Sequence, residues 1–424
     1  MDLNLMKEET LQTILAETVT TSEMAERIAL AHQDRVDKGY HQQALEVKST
    51  AEMDALFARW WHAQWIEGVT TRNALLERWF SRVLYDDRVH GVRFPLFSVS
   101  EATIGELTDD SASLVCETST GTKAGRDDFA FLPQFWAVEV AAEKDIFGGH
   151  TILAVEHIDP IEKIRKTDKL TWVLQKNTWR GEGIADGYYW LKTRCTPAPG
   201  FVRWVAGKEK NGTEHAYMAH PKYLAGKYED GRLGACSGLK PALWISHSSG
   251  VAKWREDYGP QYAGASGELL RWQMDMVRLK YAKKGNSSLI NGCSSYYMST
   301  PAAVSEVGVE RILVAAGKGA DYMVGSTINI ENKENEHSSG SPVVLRRITK
   351  IEPVTVQGQA CDAIYFDNLG QTIDTTAGTS HITTMPYGSG YNDGVLGYDG
   401  AMVNPAGQKE PGLIQRTEFQ NGAY

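Results

Sequence analysis

Cysteine is scarce in this chain: five of 424 residues, Cys116, Cys195, Cys236, Cys293 and Cys361, with no CxxC pair among them. A disulfide framework or structural zinc site needs even numbers or close spacing, so the thiols are expected to be reduced. Long apolar runs are missing as well. No stretch approaches membrane-spanning length, and the opening MDLNLMKEETLQ lacks the basic start and continuous apolar core of a signal peptide. Assembly in a cytoplasm without membrane insertion is the expectation. Clustered positive charge is the third absence. Lys and Arg number 44 against 53 Asp and Glu, giving a formal charge of -9 and a pI near 5.7. Phosphate neutralisation needs clustered cations, which argues against a general nucleic-acid surface. Arg346, Arg347 and Lys350 are the nearest approach and fit a solvated strand face.

What is present is ordinary globular material, 42% hydrophobic and 23% charged, enough chain for two or three domains. The strongest periodic signal runs from Ser266 to Cys293. Leu269, Trp272, Met276 and Leu279 recur at helical spacing beside a second row of Leu270, Met274, Val277 and Tyr281. Only Glu268, Arg271, Asp275 and Arg278 form a polar stripe, with signs that let neighbours pair along the helix. Ser266 suits the N-cap, and Lys283, Lys284 and Gly285 suit the C-terminal stop. A helix apolar around most of its circumference is predicted to be the central helix of a domain.

Residues 1–90 read as helical. Up to Lys48 the apolar stripe of Leu11, Ile14, Leu15, Met24, Ala25, Ile28 and Val36 is incomplete, as in an arm that finishes its core elsewhere or a loosely packed terminal helix. Beyond Ala51, Leu56, Phe57, Trp60, Trp61, Trp65, Leu75, Leu76, Trp79, Phe80 and Val83 predict core helices, with a break at Gly68 and a new start at Thr70 and Thr71. After Gly91 short β-like runs alternate with turns, favouring antiparallel pairing. Residues 200–250 are loop-rich. From Val304 to Thr376 the composition is β-rich, and the final stretch returns to aromatic, Gly-rich loops, so 304–376 reads as a small β-module inserted into a larger domain.

The segments CETSTGTKAGRDDFAFLPQFW, HPKYLAGKYE, SGLKPALWIS, KKGNSSLINGC, TTMPYGSGYNDGVLGYDG and KEPGLIQRTEFQNGAY resemble structural proteins of tailed bacteriophages and prophages, over roughly Val115 to Tyr424. The resemblance implies a virion protein of tail-fibre or receptor-binding type with a C-type-lectin-like body. The expected class is therefore α+β: residues 1–90 a helical attachment and oligomerisation region, 91–303 and 377–424 the lectin-like body, 304–376 the insert. The partners implied are a second copy of the chain, other virion proteins through residues 1–90, and a host-surface glycan or protein receptor. A head fibre, collar or capsid decoration protein is the neighbouring reading, and a lectin-fold enzyme of the formylglycine-generating type, with Cys293 and Cys361 as its thiols, is the reading from a different class.

No catalytic set is legible. His215, His220 and His247 lie near Ser248, Ser249 and Cys236 in sequence, yet no GxSxG elbow surrounds these serines. Asp393, Asp399 and Glu410, with Asn392 and Asn404, offer oxygen ligands of the kind by which C-type lectins hold calcium, but they sit in Gly-rich turns and lack the EF-hand spacing. Arg126, Asp127 and Asp128 read as an ion pair or charged contact. The expected site is a binding surface of aromatic residues in irregular segments: Trp244, Trp254, Tyr258, Tyr387, Tyr391 and Tyr398. No metal ligand and no catalytic residue is assigned.

Overall fold

The computed structural model describes residues 3–419 except 101–102, 146–148, 265, 287 and 293–295, with side chains from residue 23 onward save that of Ile28. Cys293 and the side chains of Leu11, Ile14, Leu15 and Ile28 lie outside the described residues.

The chain is α+β, and its named strands pair antiparallel throughout. Helix α1 spans Leu3–Glu46, α2 Thr50–Gln64 and α3 Arg72–Arg78, the last running on as a π-turn over Trp79–Val83. Ser49 caps α2 by accepting from Glu52 N–H, and Thr71 caps α3 by accepting from Ala74 N–H, so the break expected after Gly68 falls where the turn residues put it. Met53, Leu56, Phe57, Trp60, Trp61, Leu75, Leu76, Trp79 and Phe80 are all buried. They share one core with Trp136, Val138, Val140, Ala142, Trp172, Leu174 and Tyr217. The boundary expected at residue 90 is thus crossed by a continuous core, and of residues 1–90 only α1 projects from the body. Its C-terminal end is held by Asp37, which accepts from Trp60 Nε1–H at 3.1 Å and from the Arg78 guanidinium at 2.6 and 2.9 Å.

Those strand residues belong to a four-stranded sheet in the order 150–155, 137–144, 170–176, 217–221. Because side chains alternate along a strand, Val138, Val140 and Ala142 face α2 and α3, whereas Glu139 and Ala141 face the opposite way. A short helix, α4 (Glu162–Arg165), leads into the third of these strands, Leu170–Lys176, whose seven residues are all buried, as its near-continuous apolar run requires. A five-stranded sheet (89–95, 106–109, 179–185, 188–194, 201–203) packs beside it. Between them lies the central helix, α6 (Gly267–Tyr281), preceded by α5 (His247–Tyr258). Ser266 caps α6 as expected, and the helix stops at Ala282, which takes a left-handed conformation (φ 50°). Leu269, Trp272, Met276, Val277 and Leu279 pack with Val92, Phe94, Leu191 and Met218.

The polar residues of α6 do not all stay in solvent: Arg271 is exposed, but Asp275 of the stripe and Lys280 beyond it are not. Asp275 is buried between Arg180 and Arg278, and Lys280 is buried against Asp127 and Asp399 at 2.8 and 2.6 Å. Leu270, from the second apolar row, is exposed instead.

A second core, made by Ala302, Ile312, Val314, Tyr322, Ile328, Ile330, Val343, Ile348, Ile364, Phe366 and Ile382, belongs to a six-stranded sheet. Its first strand, Ser299–Pro301, pairs with its last, His381–Met385. The inserted β-module therefore covers 298–385, wider than 304–376, and its two ends meet. The chain then re-enters the body, where Ile414 and Phe419 join the α6 core.

Candidate binding site

Two adjoining hollows flank α5. The larger, about 570 Å³, starts at the end of the four-stranded sheet, where Lys144 and His150 are cross-strand partners. Leu170, Trp172 and Ala219 continue its floor, Tyr223 to Ala225 one side, Trp254 and the 261–264 turn the other, and Ser266, Glu268 and Leu269 of the α6 start close it. The smaller, about 240 Å³, lies between α5, residues 241–246 and Pro386–Tyr387, where the chain returns from the β-module. Trp254 lines both, as do Leu224, Ala225 and Gly264, so the two form one continuous groove.

The aromatic rings in this groove are ordered in sequence. Trp254 and Tyr258 lie 5.3 Å apart and Tyr258 and Tyr262 5.3 Å, both pairs tilted. The Lys144 ammonium then lies 5.6 Å from the Tyr262 ring and 5.7 Å from that of Trp172. His150 meets Trp172 edge-on at 4.7 Å. Burial holds His150 down to about 3, with the charge of Lys144 adding to the effect, so its imidazole is neutral near pH 7. Glu418, at the inner end, accepts from the N–H groups of Leu224 and Gly390, and burial pushes its carboxyl up to about 7.

Of the six aromatic residues expected to form the site, Trp244, Trp254 and Tyr387 line the groove. Trp244 is 52% exposed, its Nε1–H donating to His337 O at 3.0 Å. Tyr258 stands behind Trp254 and donates to Leu233 O, and Tyr391 packs edge-on against Tyr387 at 4.7 Å. Tyr398 is placed elsewhere. It is buried, donates to Ala137 O at 3.0 Å, and so pins the C-terminal loop to the sheet instead of contacting a ligand in the groove. Lys144, His150, Trp172 and Tyr262 complete the groove and were not expected there. The only signal for them in the sequence is their place at the ends of β-like runs, which does not indicate which runs meet.

A third hollow, about 510 Å³, is lined with charge. Glu139, fully buried, pairs with Arg165 (2.6 Å), Lys222 (2.9 Å) and Arg416 (2.9 Å), and Arg416 also binds Glu156. Burial opposes ionisation of Glu139, but these three cations overcome it and hold its carboxyl far below the usual range. Glu139, Glu156, Arg165, Lys222 and Arg416 are all paired within this cluster, which makes it a clamp between the sheet and the C-terminal segment.

The oxygen groups suggested for calcium do not converge. Asp393 accepts from Tyr223 Oη and Ser237 Oγ, Glu410 from the N–H groups of Val403 and Asn404, and Asn404 is exposed. Among the described residues the one His, Cys or acidic cluster close enough for a metal is Cys116, Asp127 and Asp399. The Lys280 ammonium already supplies the cation between its two carboxylates, so these residues do not fit calcium. Arg126 and Asp128 form an exposed ion pair, while Asp127 turns inward to Lys280. The three histidines of the imagined hydrolase set stand in separate surroundings: His215 between Glu77 and Glu209, His220 stacked on Trp272, His247 exposed at the start of α5 beside Ser248 and Ser249. The four described cysteines are free, and burial raises the thiol of each above its ordinary value, Cys195 to about 12. No protein-family model, curated protein or solved structure matches the chain.

Proposed function

We propose that this chain is a non-enzymatic attachment protein of a tailed-phage particle, with a lectin-like body that grips host-surface sugar in the groove beside α5. The observation that carries this reading is the groove itself: the accessible rings of Trp254 and Trp244, over a floor that includes Trp172, with Lys144, Glu268 and Gln261 around them. Sugar rings present apolar C–H faces and hydroxyl edges, and rigid aromatics bordered by polar groups complement both at low entropic cost. The phage assignment rests on the resemblance over residues 115–424. Helix α1, anchored in the body core at Asp37 and Ala44 but exposed over residues 23–27 and 29–35, is the segment available for attachment and self-association. Copies arrayed on a particle would turn weak single sites into avid docking through effective concentration.

Two measurements test this. Immunogold labelling of purified particles should decorate the tail tip; label on head or collar would make the chain a fibre, collar or decoration component, and absence of label would end the virion reading. On a glycan array the full chain should bind sugars, and Trp254→Ala should lower that binding at least tenfold in a chain that still unfolds cooperatively.

A further inference from the structure

The groove holds a cation without a carboxylate. Lys144 ends the strand Ala137–Lys144, and its backbone N–H donates to Tyr262 Oη, so the residue is fixed from its main chain outward. Its ammonium lies between two ring faces, and no ion pair reaches it among the described residues, although the neighbouring Glu143 is paired with Lys169 at 3.1 Å. Ring faces attract a cation but leave its hydrogen-bonding directions unused. Burial alone draws the Lys144 pKa below its ordinary value, the sign of a charge whose lost hydration nothing nearby replaces. Contrast the buried lysines: Lys280 and Lys222 are each met by a carboxylate at under 3 Å, and Lys176 donates to Phe80 O. Glu268 stands farther along the same wall, at a position suited to accepting hydroxyl hydrogens, and Glu418 at the inner end is held by the N–H groups of Leu224 and Gly390.

We infer that the ligand of this groove is an acidic sugar, its carboxylate or phosphate pairing with Lys144 while its ring lies against the partly exposed Trp254 side of the cavity. This rests on the sugar-binding reading above and adds the charge. An anion entering between the rings would form a charge-assisted hydrogen bond in a partly desolvated site, the setting in which such bonds are strongest. His150, neutral and adjacent, adds a hydrogen-bonding nitrogen without a competing charge.

The test uses the full chain against three sets of oligosaccharides of matched length: uronic- or sialic-acid-bearing, phosphate-bearing and neutral. Binding should favour acidic sugars, the better of the two anionic sets identifying the anion. Lys144→Gln should weaken binding of the acidic sugars tenfold or more, and Lys144→Arg should retain most of it. Carboxyl-reduced versions of the uronic-acid set, applied to the unaltered protein, give the same answer independently of how any variant folds: they should bind at least tenfold more weakly than their parents. Equal binding of neutral and acidic sugars, abolished by Trp254→Ala yet indifferent to Lys144→Gln, would overturn the acidic assignment and keep the sugar groove. Binding of inorganic phosphate at Lys144 with no sugar bound would overturn it too, as would failure of every sugar, which removes the groove reading itself.

Discussion

Arg416 shows how much one side chain can carry. It neutralises Glu139 and Glu156 together, and its guanidinium lies over the Tyr398 ring at 5.1 Å. Breaking a buried pair from one side leaves a charge without compensation, so Arg416→Met should cost ~3–5 kcal/mol, read as a lowered urea midpoint. Removing the Tyr398 hydroxyl should cost only ~1 kcal/mol and leave sugar binding untouched, which separates a fold pin from a contact. The pH dependence follows from the same scale. His90, His150 and His220 are held near 4, 3 and 3 in the folded chain, below the ordinary imidazole value. The unfolded chain then binds more protons, and stability falls as pH drops below about 6.5. Glu139 loses its contribution in the same direction once pH drops through the ordinary carboxylate range. Glu418 opposes them: raised to about 7, it favours the folded state as pH falls from 7 toward 4.5. Urea midpoints measured from pH 8 to pH 4 should therefore change little above about 6.5 and decline below it, where three histidines outweigh one glutamate, with Glu139 adding to the fall below 4.5, and His220→Gln should flatten that decline.

At the scale of elements, the helices were the most readable part of the sequence and the binding groove the least. Caps at Ser49, Thr71 and Ser266 and the apolar spacing around Trp60, Trp79 and Trp272 are local signals, and local signals place helices. The fate of Asp275 and Lys280 was not readable, because their partners Arg180 and Asp399 lie about a hundred residues away along the chain. Tyr398 misled for a related reason: a Gly-rich loop looks exposed, yet this one is drawn inward by Gly400, where a Cβ would meet Ser119 O at 1.9 Å. The groove is assembled from the ends of several runs, so the rings named from loops alone gave half of it. The division between α1 and α2 is also a prediction. Deleting residues 1–34 should leave the melting transition within a few degrees of the parent, because Asp37 and the core beyond it are kept. Deleting 1–90 should abolish cooperative melting, because Trp60, Trp61, Trp79 and Phe80 go with it.

For the whole molecule, three large cores divide the chain unequally: the two of the body draw on discontinuous sequence, whereas the β-module of 298–385 is contiguous. Since the Ser299–Pro301 and His381–Met385 strands are neighbours, a short Gly-Ser linker can replace the module without stretching the body. The shortened chain should fold and keep the Lys144 end of the groove, losing the Trp244 contact to His337; circular dichroism together with the acidic-sugar titration checks both. The excised module, whose ends already meet, should fold by itself.

The late position of Arg416 bears on the order of events during synthesis. Residues 50–290 emerge from the ribosome with Glu139 met by Arg165 and Lys222 but with Glu156 and Glu139 still lacking Arg416, and the part of the α6 core meant for Ile414 and Phe419 is bare. Meanwhile the β-module, contiguous and self-contained, has everything it needs as soon as residue 385 clears the exit tunnel. The nascent chain is thus expected to complete its middle before its beginning, with the first helices waiting on the final residues to lock the body shut.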